Sequence, residues 1–144
     1  MKVIIFSILG LLNIYNLDSV KHYVKSVGDV EAIVCQIRFI EDKEEGDEWL
    51  SPGETLKRGG DDCEGFALLT KELLDHIGCD TSLIRLYNDD TGTSHVIVTY
   101  VKWGGIENGF FSNGVRYKTS YLKKYVDDNG YKDWRYIKAP NVQE

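Results

Sequence analysis

Apolar residues follow two different periods along this chain, close to 3.6 up to Gly78 and close to 2 beyond it. Leu17, Val20, Tyr23, Val24 and Val27 recur at three and four, Gly28 interrupts, and Val30, Ile33, Val34 and Ile37 resume the spacing. The segment from Leu17 to about Ile40 therefore predicts two helices or one broken helix. Between Asp61 and Ile77 the apolar residues Phe66, Leu69, Leu73 and Ile77 define a single helical face, and Gly78 stands where a C-terminal glycine ends a helix. After it come "SLIRLY", "HVIVTYVKW", "GFFS" and "GVRYK", which predict antiparallel strands. Asn108-Gly109 and Asn113-Gly114 are the candidate hairpin dipeptides. A short helix around Tyr121 to Val126 and a last strand "WRYIK" complete the order. Helices first and strands afterwards predict an α+β fold, its best helix packed on an antiparallel sheet.

Two further segments punctuate this pattern. "EDKEEGDE", residues 41–48, is a charged run that reads as a solvated loop, and "SPGETL" starts a short helix with Ser51 as cap and Pro52 in the first turn. Residues 1–16 carry Lys2 and an apolar run from Val3 to Leu12, which imitates a secretory signal but is too short to span a bilayer as a helix. No small-x-small cleavage site follows, so a buried first element and a cytoplasmic location are preferred, with an exported or periplasmic one the alternative if the segment is a signal.

With 144 residues and a hydrophobic fraction of 42%, the chain suffices for one core and is short for two, so a single domain over 1–144 is expected. A net charge of −6, with no clustered Lys/Arg stretch beyond Lys123-Lys124, argues against a nucleic-acid partner. The three cysteines, Cys35, Cys63 and Cys79, lack the number for a disulfide framework and the spacing for a zinc knuckle.

Candidate chemistry gathers in "GGDDCEGFALL", Gly59 to Leu69. With Asp61 as N-cap, Cys63 falls in the first helical turn and Asp61-x-x-Glu64 forms a capping box. The helix dipole and unpaired N–H groups there favour thiolate and can hold an oxyanion. Asp61, Asp62 and Glu64 oppose thiolate, so a cation is required nearby. His95 is the candidate cation and base, an imidazolium to pair with the thiolate, since it opens a strand at the sheet's edge and can face the helix N-terminus. His22 in the first helix and His76 in the last turn of the Cys63 helix compete poorly, and Cys35 and Cys79 read as packing residues. To orient the imidazole, "GFFSNG" offers Asn113, with Ser112 and Glu107 behind it.

The run "W-L-S-P-x-E-T-L-x-x-x-x-x-D-C-E-x-F-A", Trp49 to Ala67, followed by a leucine-rich helix, a glycine and a Ser-His-Val strand start, resembles the bacterial transglutaminase-like cysteine proteinases. The resemblance covers about Phe39 to Asn113. It implies a papain-like, transglutaminase-like fold with Cys63 as nucleophile and His95 as base. The family usually writes Gly-Asp-Cys-Glu-Asp, whereas this chain has Asp61-Asp62-Cys63-Glu64-Gly65, losing the second acid after the cysteine. In periplasmic members those acids are associated with calcium, which makes Asp62 and Glu64 the matching positions. The family's third member is an aspartate after apolar residues, where "FFSN" has Ser112 or Asn113. Trp49 either shapes the cleft or anchors its loop, and Gly59-Gly60 permit close approach or a turn at the helix entry.

The expected function is a cysteine peptidase or amidase that opens a peptide or glutaminyl amide through a thioester on Cys63. The alternatives are a catalytically weak binding or structural module of the same fold, and acyl transfer to an amine in the manner of transglutaminases. A protein or peptide substrate is implied, with no integral membrane segment and calcium as the one cofactor considered.

Overall fold

The computed structural model describes residues 16–40 and 49–139. The apolar N-terminal run and the charged loop 41–48 lie outside the described residues. Two short helices come first, α1 (Leu17–Tyr23) and α2 (Val27–Val34), capped by the side chains of Asn16 and Ser26. The break falls at Val24–Ser26 and not at Gly28, which is the second residue of α2. Ser26 accepts from the Asp29 N–H, so a new cap, rather than a glycine, separates the two helices.

A two-residue strand β1 (Arg38–Phe39) pairs in parallel with β2 (Gly60–Asp61) after helix α3 (Pro52–Arg58). α3 begins as expected, with Ser51 accepting from the Glu54 N–H and Pro52 in its first turn, and ends on Gly59 in the left-handed region, φ 69°. Gly60 serves the close approach: a Cβ there would stand 2.7 Å from the Arg38 carbonyl oxygen. This ribbon leads directly into the longest helix, α4 (Cys63–His76).

The remaining strands are β3 (Asp80–Asn88), β4 (Thr93–Lys102), β5 (Glu107–Ser112), β6 (Val115–Tyr117) and β7 (Asp133–Ile137), with helix α5 (Leu122–Asp128) between the last two. They form one antiparallel sheet in the order β6-β5-β4-β3-β7. Asn113-Gly114 makes the β5–β6 turn with φ of 46° and 82°. Asn108-Gly109, the other candidate turn, instead lies inside β5, where Gly109 leaves room for the Tyr117 carbonyl and the Tyr100 hydroxyl.

The strand alternation sorts two cores. Leu83, Val96, Val98, Tyr100 and Phe111 face α4, where Leu69, Leu73 and Leu74 are fully buried, and α1 to α3 close this side. Ile84, Leu86, Ile97 and Phe110 form a smaller core on the opposite face with Leu122, Tyr125 and Val126 of α5. An apolar groove of about 460 Å³ runs along that face between α5 and the exposed Trp134 and Tyr136. Among the described residues no helix is long and apolar enough to cross a membrane.

Candidate active site

The helix cap sits one residue later than the spacing suggested. Asp62 is the N-cap, its Oδ1 accepting from the Gly65 N–H at 3.1 Å, so Cys63 is the first residue of α4. No capping box forms. Asp61 lies buried behind the cap, where its Oδ2 accepts from Thr55 Oγ1 and its Oδ1 from the Asp62 N–H, both at 2.8 Å. Burial raises its pKa against the lowering effect of those two donors.

Gly65 explains the missing acid. A Cβ there would stand 1.9 Å from Asp61 Oδ2. The carboxylate of Asp61 thus occupies the space into which any side chain at 65 would grow. An acid before Asp62 and a glycine two residues after Cys63 are one structural choice, made together.

Cys63 meets the sheet at the start of β4. The β4–β5 ladder ends at the pair Val98–Phe111, and the Val96 N–H donates to the Cys63 sulfur. Burial, then Glu64, push the thiol up to about 11, with Asp62 adding to the shift and the Val96 donor and Arg85 working against it. The contested electrostatics read from the sequence are therefore real, and the resting thiol is neutral.

His95 lies beside Val96 on β4, which is the central strand of the sheet and begins two residues earlier, at Thr93. The histidine is thus at the end of a central strand and not on an edge strand. Its side chain belongs to the α5 face with Ile97 and Phe110. His95 is 8% exposed, and burial lowers its pKa to about 4. The Tyr131 ring stacks against it at 6.3 Å between centroids.

The imidazole is held by Ser112. His95 Nε2 and Ser112 Oγ are 2.7 Å apart, and Ser112 Oγ is 2.6 Å from the Tyr125 hydroxyl on α5. Asn113, the first expectation for this role, does not make that bond. It is the turn residue at φ 46°, and its Oδ1 is buried without a hydrogen-bond partner. Period-two alternation is the reason: Ser112 shares a face with Phe110 and His95, while Asn113 has already left the strand. Glu107 begins β5 opposite Lys102, five residues from Ser112 and about 17 Å away at strand rise.

Arg85 is the residue that reading the sequence missed. It sits on β3 opposite Val96, its Nη1 3.5 Å from Glu64 Oε1 and 3.2 Å from Ser94 Oγ, its guanidinium 5.9 Å from the centre of the Trp49 ring. A charge flanked by Leu83, Ile84 and Leu86 on an internal strand was the available signal, because such a residue is buried only when paired. Trp49 is half-buried and packs on the main core while bearing this arginine.

The remaining candidates are placed away from Cys63 or serve other ends. His22 and His76 are exposed on their helices. Cys79 is buried in the core as expected, whereas Cys35 is exposed at the C-cap of α2, and none of the three cysteines forms a disulfide. Among the described residues no group of three His, Cys, Asp or Glu side chains is placed to hold a metal ion. Asp62 is engaged in capping, and Glu64 already faces the positive charge of Arg85. The two residues do not fit a calcium site in this arrangement.

No family model matches the chain, and no curated protein matches it. Three solved structures of Legionella pneumophila LapG do. The calcium-bound form aligns at 20% identity with a TM-score of 0.56, covering 81% of this chain and 66% of that one. The EGTA-treated form aligns at 22% identity with a TM-score of 0.53, covering 72% and 61%. A third LapG structure gives 21% and 0.54 over 72% and 62%. The chain thus spans about three fifths of LapG's length. At this identity the likeness is one of fold: this is an α+β domain with the transglutaminase-like fold.

Proposed function

We propose that the chain is a cysteine peptidase or amidase of the transglutaminase-like type, with Cys63 as nucleophile and His95 as base. What supports this reading is that the α4 N-terminus, which carries Cys63, packs on β4, which carries His95. The α4 N-terminus presents Cys63 to the Val96 N–H, and the adjacent His95 is held through Nε2 by Ser112. The fold shared with LapG supports it.

With the thiol near 11 and the imidazole near 4, both groups rest neutral at pH 7. Burial favours the neutral form of both groups before substrate binds, so the expected imidazolium–thiolate pair is not the resting state. The proton leaves the thiol as sulfur attacks the substrate carbonyl. Nδ1 of His95 receives it, which requires Nε2 to carry its hydrogen and donate to Ser112 Oγ, with Ser112 donating in turn to Tyr125. The first-turn N–H groups of Cys63 and Glu64, which have no acceptor within the helix, are available to the oxyanion. The tetrahedral adduct expels the amine, protonated by the imidazolium, and leaves a thioester on Cys63. Water activated by His95 then hydrolyses it.

A second reading, a weak or inactive binding module, draws on one observation. Ser112 fixes neither the tautomer nor the charge of His95, since a hydroxyl can donate or accept. Hydrolysis of a quenched fluorescent peptide library, with new termini identified by mass spectrometry, separates the two. Cleavage that is lost in Cys63→Ser and in His95→Gln supports the enzyme. Binding of peptides with no cleavage in the native protein supports the module. Adding a primary amine distinguishes hydrolysis from acyl transfer by the product formed.

A further inference from the structure

Three carboxylates surround Cys63, and each has a different neighbour. Asp61 is buried against Thr55, with Arg58 Nη1 3.9 Å away; Asp62 caps α4; Glu64 turns toward the sheet. Glu64 is nearly inaccessible, its side chain 9% exposed, and the arginine it meets is 15% exposed. A carboxylate this well buried needs a compensating charge, because desolvation penalises the ionised form.

We propose that the Arg85 guanidinium is the resident cation of this site, a fixed charge that neutralises Glu64 beside the thiol and holds the α4 N-terminus on the sheet without a divalent ion. Arg85 reaches from β3 across to α4 through one nitrogen, Nη1, which also contacts Ser94 on β4. One cation therefore ties the helix to both strands that flank the nucleophile. Trp49 closes over the guanidinium from the approach loop, and an aromatic face favours a cation there. The backbone register fixes the placement, since Arg85 is paired with Val96, whose N–H donates to the Cys63 sulfur. The charge is not titratable near neutral pH, and it cannot dissociate as an ion does.

The inference concerns the site of the proposed thiol hydrolase and takes its relevance to catalysis from that reading. Its readouts are stability and metal response, so either can fail without the other. Thermal unfolding of the native chain is recorded in millimolar calcium chloride and in EGTA, alongside Arg85→Gln, Arg85→Lys, Glu64→Gln and the double variant Arg85→Gln/Glu64→Gln. The native midpoint is the same in calcium and in EGTA. Arg85→Gln, which leaves a buried carboxylate alone, falls by roughly 10 °C in both solutions. Arg85→Lys stays close to native, because both contacts of the guanidinium are made by a single nitrogen. Should Arg85→Gln fail to fold, the double variant carries the test: with both charges removed it folds, and calcium does not move its midpoint. A native midpoint that rises with calcium overturns the proposal. So does an Arg85→Gln protein as stable as native in EGTA. Loss of peptide cleavage with the stability pattern intact would strike the enzyme reading alone.

Discussion

On the proposed reading, replacing Ser112 with aspartate should make His95 a better base. Ser112 Oγ lies 2.7 Å from His95 Nε2 and 2.6 Å from the Tyr125 hydroxyl, and Ser112 is 6% exposed. A carboxylate placed there accepts from both neighbours. It forces the hydrogen onto Nε2 and leaves Nδ1 for the thiol. An adjacent carboxylate raises an imidazole pKa by about 1–3 units, which would bring His95 from about 4 to roughly 5–7. The proton transfer from Cys63 then becomes easier by about 10- to 1000-fold, or roughly 1–4 kcal/mol. The measurement is the titration of the His95 ring by heteronuclear NMR, paired with the rate at which an activated ester acylates Cys63. Thermal unfolding checks that the buried carboxylate is tolerated. A Ser112→Asp protein that folds, yet shows an unchanged or lower His95 pKa, would refute the assignment of Ser112 as the group that orients the imidazole. A raised pKa with no faster acylation would refute His95 as the base.

Other expectations follow from the same site. The depressed pKa of His95 makes folding favour the neutral ring, so its contribution to stability is complete above pH 6.5 and is lost as pH falls toward 4, a change of about 3 kcal/mol. Urea unfolding of native and His95→Gln proteins across that window should differ in slope by this amount, and parallel curves would contradict the burial of the ring. Gly65→Ala should cost about 3 kcal/mol, because its Cβ meets Asp61 Oδ2 at 1.9 Å. Combined with Asp61→Gly the loss should be smaller than the sum of the two by about 1–3 kcal/mol in denaturant unfolding, and strict additivity would count against a shared space.

The fold was largely legible because the change of hydrophobic period at Gly78 is a change from helices to strands, and the structure keeps every element of that order within its described residues. Local cap chemistry was less so. Both Asp61 and Asp62 are good N-caps, and only the parallel pairing of β1 with β2 and the hydrogen bond from Thr55 decide that Asp61 is drawn into the interior. Cys63 and His95 are candidates by residue type and spacing, and the structure shows their local partners. The partner of His95 could not be read in this way, because Ser112 and Asn113 differ by one position in a strand whose end was unknown, and one position reverses the face. Arg85 escaped notice for a related reason. A lone arginine in an apolar strand declares that it is paired, but nothing in the sequence says that its partner is Glu64, twenty-one residues earlier on a different element. Asn108-Gly109 shows the reverse error, a strong turn dipeptide overridden by the crowding of Tyr100 and Tyr117 around a strand glycine.

The most direct test of the account is to locate the acyl group itself. The protein is mixed with an activated acyl ester, quenched in acid and mapped by mass spectrometry after proteolysis. The account predicts a thioester on Cys63, formed faster than on the exposed Cys35, absent in Cys63→Ser and strongly reduced in His95→Gln. Acyl groups distributed by exposure alone, with Cys63 unmodified or its acylation indifferent to His95, would contradict it.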